Sequence, residues 1–165
     1  LKRIGDVIGL VLVVLIAPLS VDLEIVPITL QTFILFTVAA WRGAIPGLYI
    51  ALAYVLLGAV GLPVYSGHSS GWEKLIGPTA GFIWAFPLVS YVVGWLYSKT
   101  KLIWLQMGVF LVAHLLLMVI GLSVLKWIKP GVDVWSIAYS ILPGAIIKSI
   151  VATIVVKGIK KADWF

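Results

Sequence analysis

Six apolar stretches follow one another along the chain with little polar sequence between them, and this succession constrains the fold more than any other feature. They are residues 4–21, 29–41, 44–61, 78–98, 102–125 and 134–156. A bilayer core about 30 Å thick takes roughly 20 apolar residues as a helix, fewer where a helix is short or re-entrant. A membrane β-barrel would instead show segments of about ten residues with alternating hydrophobicity. Runs such as VIGLVLVVLIA and LVAHLLLMVIGLSVL do not alternate. The expected fold is an all-α integral membrane protein with six transmembrane helices, one domain over residues 1–165, and an external loop at 62–77. Composition closes the alternatives: 62% of the residues are hydrophobic, 11% are charged and none is cysteine. A soluble domain carries roughly half apolar and a quarter charged residues. A soluble globule, a disordered chain, a coiled coil and a disulfide-stapled scaffold are therefore all excluded.

Charge placement gives an orientation, because short cytoplasmic loops carry excess Lys and Arg. With six spans and the N-terminus inside, Lys2, Arg3, Arg42, Lys99, Lys101, Lys157, Lys160 and Lys161 fall on the cytoplasmic side. Lys74, Lys126 and Lys129 fall outside, with Asp22, Glu24, Glu73 and Asp133; Asp6 and Asp163 fall inside. This division favours N-in and C-in. The net charge of +6 then serves anchoring to anionic inner-leaflet lipid, and nucleic acid is not expected as a partner. No cleavable signal peptide is expected, since Lys2 and Arg3 precede a run long enough to span and no small-residue cleavage pattern follows. The chain begins with Leu, so residues preceding it in the natural protein are expected to be missing from this numbering.

Several chemistries are excluded in turn. Six spans leave no room for a nucleotide-binding domain, and no GxxxxGK[ST] loop is present. There is no HExxH, no GxSxG and no cysteine nucleophile, and His68 and His114 stand 46 positions apart, so neither an enzyme nor a metal site nor a cofactor is expected. His114, mid-span, reads as a polar residue hydrogen-bonded between helices. Paired intramembrane carboxylates, which a proton-coupled pump would use, are absent from the sequence.

The polar residues left within or beside the membrane are the candidates for function. Lys148 comes first, because an ammonium at depth costs several kcal/mol unless it reaches water or an anion. It lies about 7 Å of helix rise beyond Pro143, which starts or kinks the helix, and so is expected in the outer part of the membrane. Two readings stand: an ammonium that snorkels to the outer headgroups, and a buried one that awaits a carboxylate ligand. The second feature is Pro63–Thr79, where Gly67, Gly71 and Gly77 accompany Ser66, His68, Ser69 and Ser70; it is either a binding loop or a passive connection. The third is Pro27–Thr32, where Gln31 and the threonines cap a short helix or point into the same pocket. Aromatic residues Phe82, Trp84, Phe86 and Tyr91 follow the loop, and Trp84 and Tyr91 share a helical face.

Four blocks then carry a resemblance. VPITLQT at 26–32, GLPVYSG at 61–67, GPTAGFIWAFP at 77–87 and LPGAIIK at 142–148 occur in the order and spacing of the BioY family. These proteins are the biotin-specific substrate-binding S components of energy-coupling factor (ECF) transporters. The resemblance implies a six-helix protein of the bacterial cytoplasmic membrane that captures biotin from outside and assembles with a T component and two ATPases. It implies ligand contacts from Lys148, His68, Ser69, Thr79, Phe82, Trp84, Tyr91 and Gln31. It also gives the GxxxG of Gly5 and Gly9 a role as the surface where the T component docks.

The chain departs from the family pattern at three places. Ala145 stands where an acid precedes the lysine, Ala80-Gly81 replaces a glycine pair with Phe82 at a position often held by a larger polar-tipped side chain, and His68 and Ser69 stand in a loop usually richer in glycine or asparagine. Ala145 cannot accept the ureido N–H groups of biotin. Either His68, Ser69, Thr79 or a backbone carbonyl substitutes, or the ligand is a related ring carboxylic acid such as lipoate. A stand-alone facilitator and a ligand-free membrane scaffold are further alternatives. The first needs a continuous polar stripe that the inner half lacks, and the second leaves Lys148 without an anionic partner.

Overall fold

A computed structural model describes residues 2–21 and 28–161. Asp22, Glu24, Asp163 and the Val26-Pro27 start of the first sequence block lie outside the described residues. Seven helices make up the described chain: α1 (Lys2–Ile16), α2 (Gln31–Arg42), α3 (Ala44–Ala59), α4 (Trp72–Ile76), α5 (Ala80–Lys99), α6 (Ile103–Ile128) and α7 (Val134–Lys161). Two short strands, β1 (Ser20–Val21) and β2 (Ile28–Thr29), pair antiparallel between α1 and α2. α5, α6 and α7 are long and apolar enough to cross a membrane, and α3 is a shorter apolar helix.

Local chemistry sets the boundaries and corrects two of the expected ones. The span expected over 4–21 ends as a helix at Ile16, because Pro18 follows and the chain turns into β1. The loop expected over 62–77 contains α4 and a single 3₁₀ turn at Ser66–His68. Pro143 lies inside α7, which begins at Val134, where the apolar run 134–156 puts it. There the Asp133 carboxylate accepts from the backbone N–H groups of Trp135 at 3.0 Å and Ser136 at 3.3 Å, a side-chain cap that fixes the helix start. Lys148 lies near the middle of α7. α2 and α3 meet at one residue, Gly43, whose φ of 101° suits glycine alone.

α2 and α5 form the centre. α2 packs against α1, α3, α5 and α7, while α5 packs against α2, α3, α4 and α6. The core holds Val13, Phe36, Tyr54, Phe86, Val89 and Phe110, all at most 2% exposed. The outer surface is as apolar as the core: Val7, Val11 and Leu15 on α1, Val112 and Val119 on α6, and Ile147 and Ile154 on α7 are each at least half exposed. Water would not tolerate such a surface, whereas lipid is its natural solvent.

The two ends of the bundle differ in chemistry. At one, the Asp6 carboxylate accepts from Arg42 Nε at 2.8 Å, and the Arg42 guanidinium lies 5.1 Å from the Trp41 ring centre. Lys160 lies 4.6 Å over the Tyr97 ring. These contacts gather the start of α1 with the ends of α2, α5 and α7. At the other end, the β ribbon and the 62–77 loop meet: Gly67 N–H donates to the Pro18 carbonyl at 2.9 Å, and Leu30 N–H donates to that of Leu19 at 3.0 Å.

Candidate functional site

α2 has 12 residues, about 18 Å of rise, whereas α6 has 26, about 39 Å. Thr32, in the first turn of α2, lies 3.2 Å from His114 near the middle of α6, so the N-terminus of α2 opens within the depth that α6 spans. Lys148 reaches this point from α7. Its ammonium donates to the Thr29 carbonyl at 2.9 Å and to Thr32 Oγ1 at 3.2 Å. The half-buried side chain turns to the β2–α2 junction.

Thr32 extends the contact into the core. His114, 3% exposed on α6, lies with Nε2 3.2 Å from Thr32 Oγ1 and Nδ1 2.8 Å from the Phe110 carbonyl. Ser149, 1% exposed, donates to the Ala145 carbonyl at 2.7 Å and lies 3.2 Å from His114 Nδ1. Both carbonyls only accept. The proton of the neutral imidazole therefore resides on Nδ1, and Nε2 accepts from the Thr32 hydroxyl. The Phe36 ring meets His114 edge-on at 5.1 Å and closes the apolar side. Ala145, 4% exposed, presents a methyl group where the family pattern has an acid.

Most of the remaining expected contacts have partners of their own. Gln31 is 6% exposed and donates through Nε2 to Tyr54 Oη at 2.5 Å. Trp84 donates to the Leu75 carbonyl at 2.9 Å with its ring 53% exposed, so it ties α4 to α5 instead of stacking in the interior. The Phe82 ring lies against Gly121 of α6, occupying the space of the missing side chain. Thr79 hydrogen-bonds at the surface to the Lys74 carbonyl at 3.4 Å. Tyr91 is half-buried on α5, and His68 is exposed on the loop with φ 56°. Ser69 donates to the Ser66 carbonyl at 2.7 Å and so braces the loop. None of these side chains is bonded to Lys148.

Gly5 and Gly9, expected at a docking surface, have close neighbours within this chain. Both are buried, Gly5 under the Arg42 guanidinium and Gly9 against Val38 and Ile50. A Cβ at Gly9 would lie 2.9 Å from Val38 Cγ1 and 3.2 Å from Ile50 Cδ1. The GxxxG therefore packs α1 onto α2 and α3 within this chain, and the outward face of α1 is the one carrying Ile4, Val7, Val11 and Leu15.

Sequence reasoning had singled out Lys148, Gln31 and Thr32 but not Tyr54, Tyr65 or Ser149. Tyr65 anchors the loop: it is 1% exposed, and its hydroxyl donates to the Val55 carbonyl at 2.6 Å. Its ring meets Tyr54 edge-on at 5.7 Å and fills the place a side chain at Gly58 would take. Burial pushes its hydroxyl pKa up to about 12, so it stays a donor at any physiological pH. Gly71 N–H adds a bond of 2.7 Å to the Gly58 carbonyl.

Comparison with known proteins places these features. A family model described as the BioY family matches residues 5–163. Biotin transporter BioY2 of Lactococcus lactis subsp. cremoris is 37% identical over 131 residues, covering 79% of this chain and 71% of that protein. Biotin transporter BioY of Thermotoga maritima is 41% identical over 90 residues, covering 54% of this chain and 53% of that protein. The probable biotin transporter BioY of Pyrococcus horikoshii is 35% identical over 96 residues, 58% of this chain and 59% of the other. The last two matches thus span little more than half of those relatives. A crystal structure of the S-component for biotin from an ECF-type ABC transporter shares the fold, with a TM-score of 0.85 at 19% identity over 97% of this chain and 90% of that one. With a family match over nearly its whole length, the chain belongs to the BioY family.

Proposed function

We propose that the chain is a membrane transport subunit, not an enzyme, that captures biotin from outside as the S component of an ECF-type transporter. The observation that carries this reading is the ammonium of Lys148, held at the N-terminus of α2 inside an apolar bundle. An ammonium has three N–H donors. Two are engaged by Thr29 and Thr32, and the third is the natural partner for the carboxylate that biotin carries. The positive end of the α2 dipole adds to it. The relatives named as biotin transporters, and the S-component for biotin that shares the fold, favour biotin over a lipoate-like acid.

The rest of the assembly follows from the same reading. A T component and two ATPases are the expected partners, since the chain has no phosphate-binding loop. The six helices α1, α2, α3, α5, α6 and α7 sit in a bacterial cytoplasmic membrane, surrounded by lipid. The end holding Arg42, Lys99 and Lys160 faces the cytoplasm, N-in and C-in. His68 and Ser69 then lie on the external loop over the site.

Radiolabelled biotin binding to the purified protein, with unlabelled biotin and lipoate as competitors, tests the ligand. Displacement by biotin and not by an equal concentration of lipoate is expected. Absence of binding at micromolar biotin overturns the reading.

A further inference from the structure

We infer that Thr32 and His114 are positioning residues that aim the Lys148 ammonium, an inference that rests on the proposed binding of biotin there. The direction of each hydrogen bond is fixed by what its neighbours can do. The Phe110 carbonyl takes the Nδ1 proton of His114, which leaves Nε2 as an acceptor 3.2 Å from Thr32 Oγ1. The Thr32 proton points to that nitrogen, and its lone pairs face Lys148 Nζ, also at 3.2 Å. Ser149 cannot reverse the order, because its own proton goes to the Ala145 carbonyl. One polarised chain therefore runs from α7 through α2 to α6, and each bond strengthens the next.

The consequence is a lysine that cannot swing freely. Thr29 and Thr32 fix two of its three N–H directions, and the third is left to a carboxylate. Without the Thr32 hydroxyl, the ammonium keeps only the Thr29 carbonyl and must be ordered when the ligand arrives, a cost that weakens binding. His114 acts one bond further away. Its removal leaves the Thr32 proton without its acceptor and free to turn toward the Thr29 carbonyl or the ligand.

A double-mutant cycle on biotin affinity tests this. Thr32→Val, which keeps the shape and removes the hydroxyl, is expected to weaken binding about tenfold, and His114→Leu about threefold. Thr32→Ser is expected to restore wild-type affinity. In a Lys148→Met background, Thr32→Val is expected to have no further effect. Equal losses in both backgrounds, or loss with Thr32→Ser in a protein of unchanged melting temperature, overturn the inference. A second measurement needs no ligand: the acylation rate of Lys148 by a small amine reagent, read by mass spectrometry against Lys126 in the same sample. The rate should rise in Thr32→Val and His114→Leu and stay unchanged in Thr32→Ser. A protein that binds no biotin but shows this pattern sinks the ligand and keeps the positioning; unchanged rates sink the positioning itself.

Discussion

At the scale of single residues, Lys148 carries the largest cost and the clearest purpose. An ammonium turned into an apolar bundle persists where oxygens receive it, and the Thr29 carbonyl and Thr32 hydroxyl do so. Lys148→Ala is expected to weaken biotin binding tenfold or more, on the order of 1–3 kcal/mol for a charge-assisted hydrogen bond. Equilibrium binding to purified protein reads the change, and an unaltered affinity removes Lys148 from the site. Lys148 was legible in the sequence because a charge within an apolar run is rare. Its partners were not, because Thr29 and Thr32 come from a segment more than a hundred residues away. His114 read correctly as a polar residue bonded between helices, but the identity of its partners depends on α2 and α7 meeting α6, which no local pattern encodes. The bond from Trp84 to the Leu75 carbonyl was not legible, because periodicity gives the face of an indole and not its hydrogen-bond partner.

At the scale of elements, the loop between α3 and α5 is a latched structure instead of a loose tether. Tyr65 inserts over Gly58, Gly67 bonds to Pro18 and Gly71 bonds to Gly58. Gly58→Val would push the Tyr65 ring out of its seat. The expected result is faster hydrogen exchange at the Gly67 and Gly71 amides and faster biotin release, with the amides of α6 unchanged. Tyr65→Phe keeps the ring and removes only the bond to Val55, so a milder effect, about 1 kcal/mol, is expected in thermal unfolding. The glycine and serine content of this loop was visible in the sequence, but the buried tyrosine was not. A Tyr beside Pro and Ser in a loop carries no period by which burial is read.

At the scale of the whole molecule, the apolar runs made the helical membrane fold readable, since length and composition alone set it. The docking surface was less readable, because GxxxG marks close helix packing without saying which helix is the partner. Gly9 meets Val38 and Ile50 of the same chain. Gly9→Leu is therefore expected to cost about 1–3 kcal/mol by overpacking, with lower melting temperature and joint loss of biotin binding and uptake. Loss of uptake alone, with binding and melting temperature intact, would return Gly9 to a partner interface. Orientation is open to labelling, because the chain has no cysteine. A cysteine replacing His68 or Gly131 is expected to react with a membrane-impermeant maleimide on intact cells, and one replacing Thr100 only after permeabilisation.

Calorimetric titration of purified wild-type and Lys148→Met protein with biotin examines the proposed role of Lys148 as the partner of the biotin carboxylate most directly. One biotin per chain is expected for the wild type, with binding strongly reduced in the variant at an unchanged melting temperature. Equal affinity in the two proteins, or no heat of binding in the wild type, would contradict it.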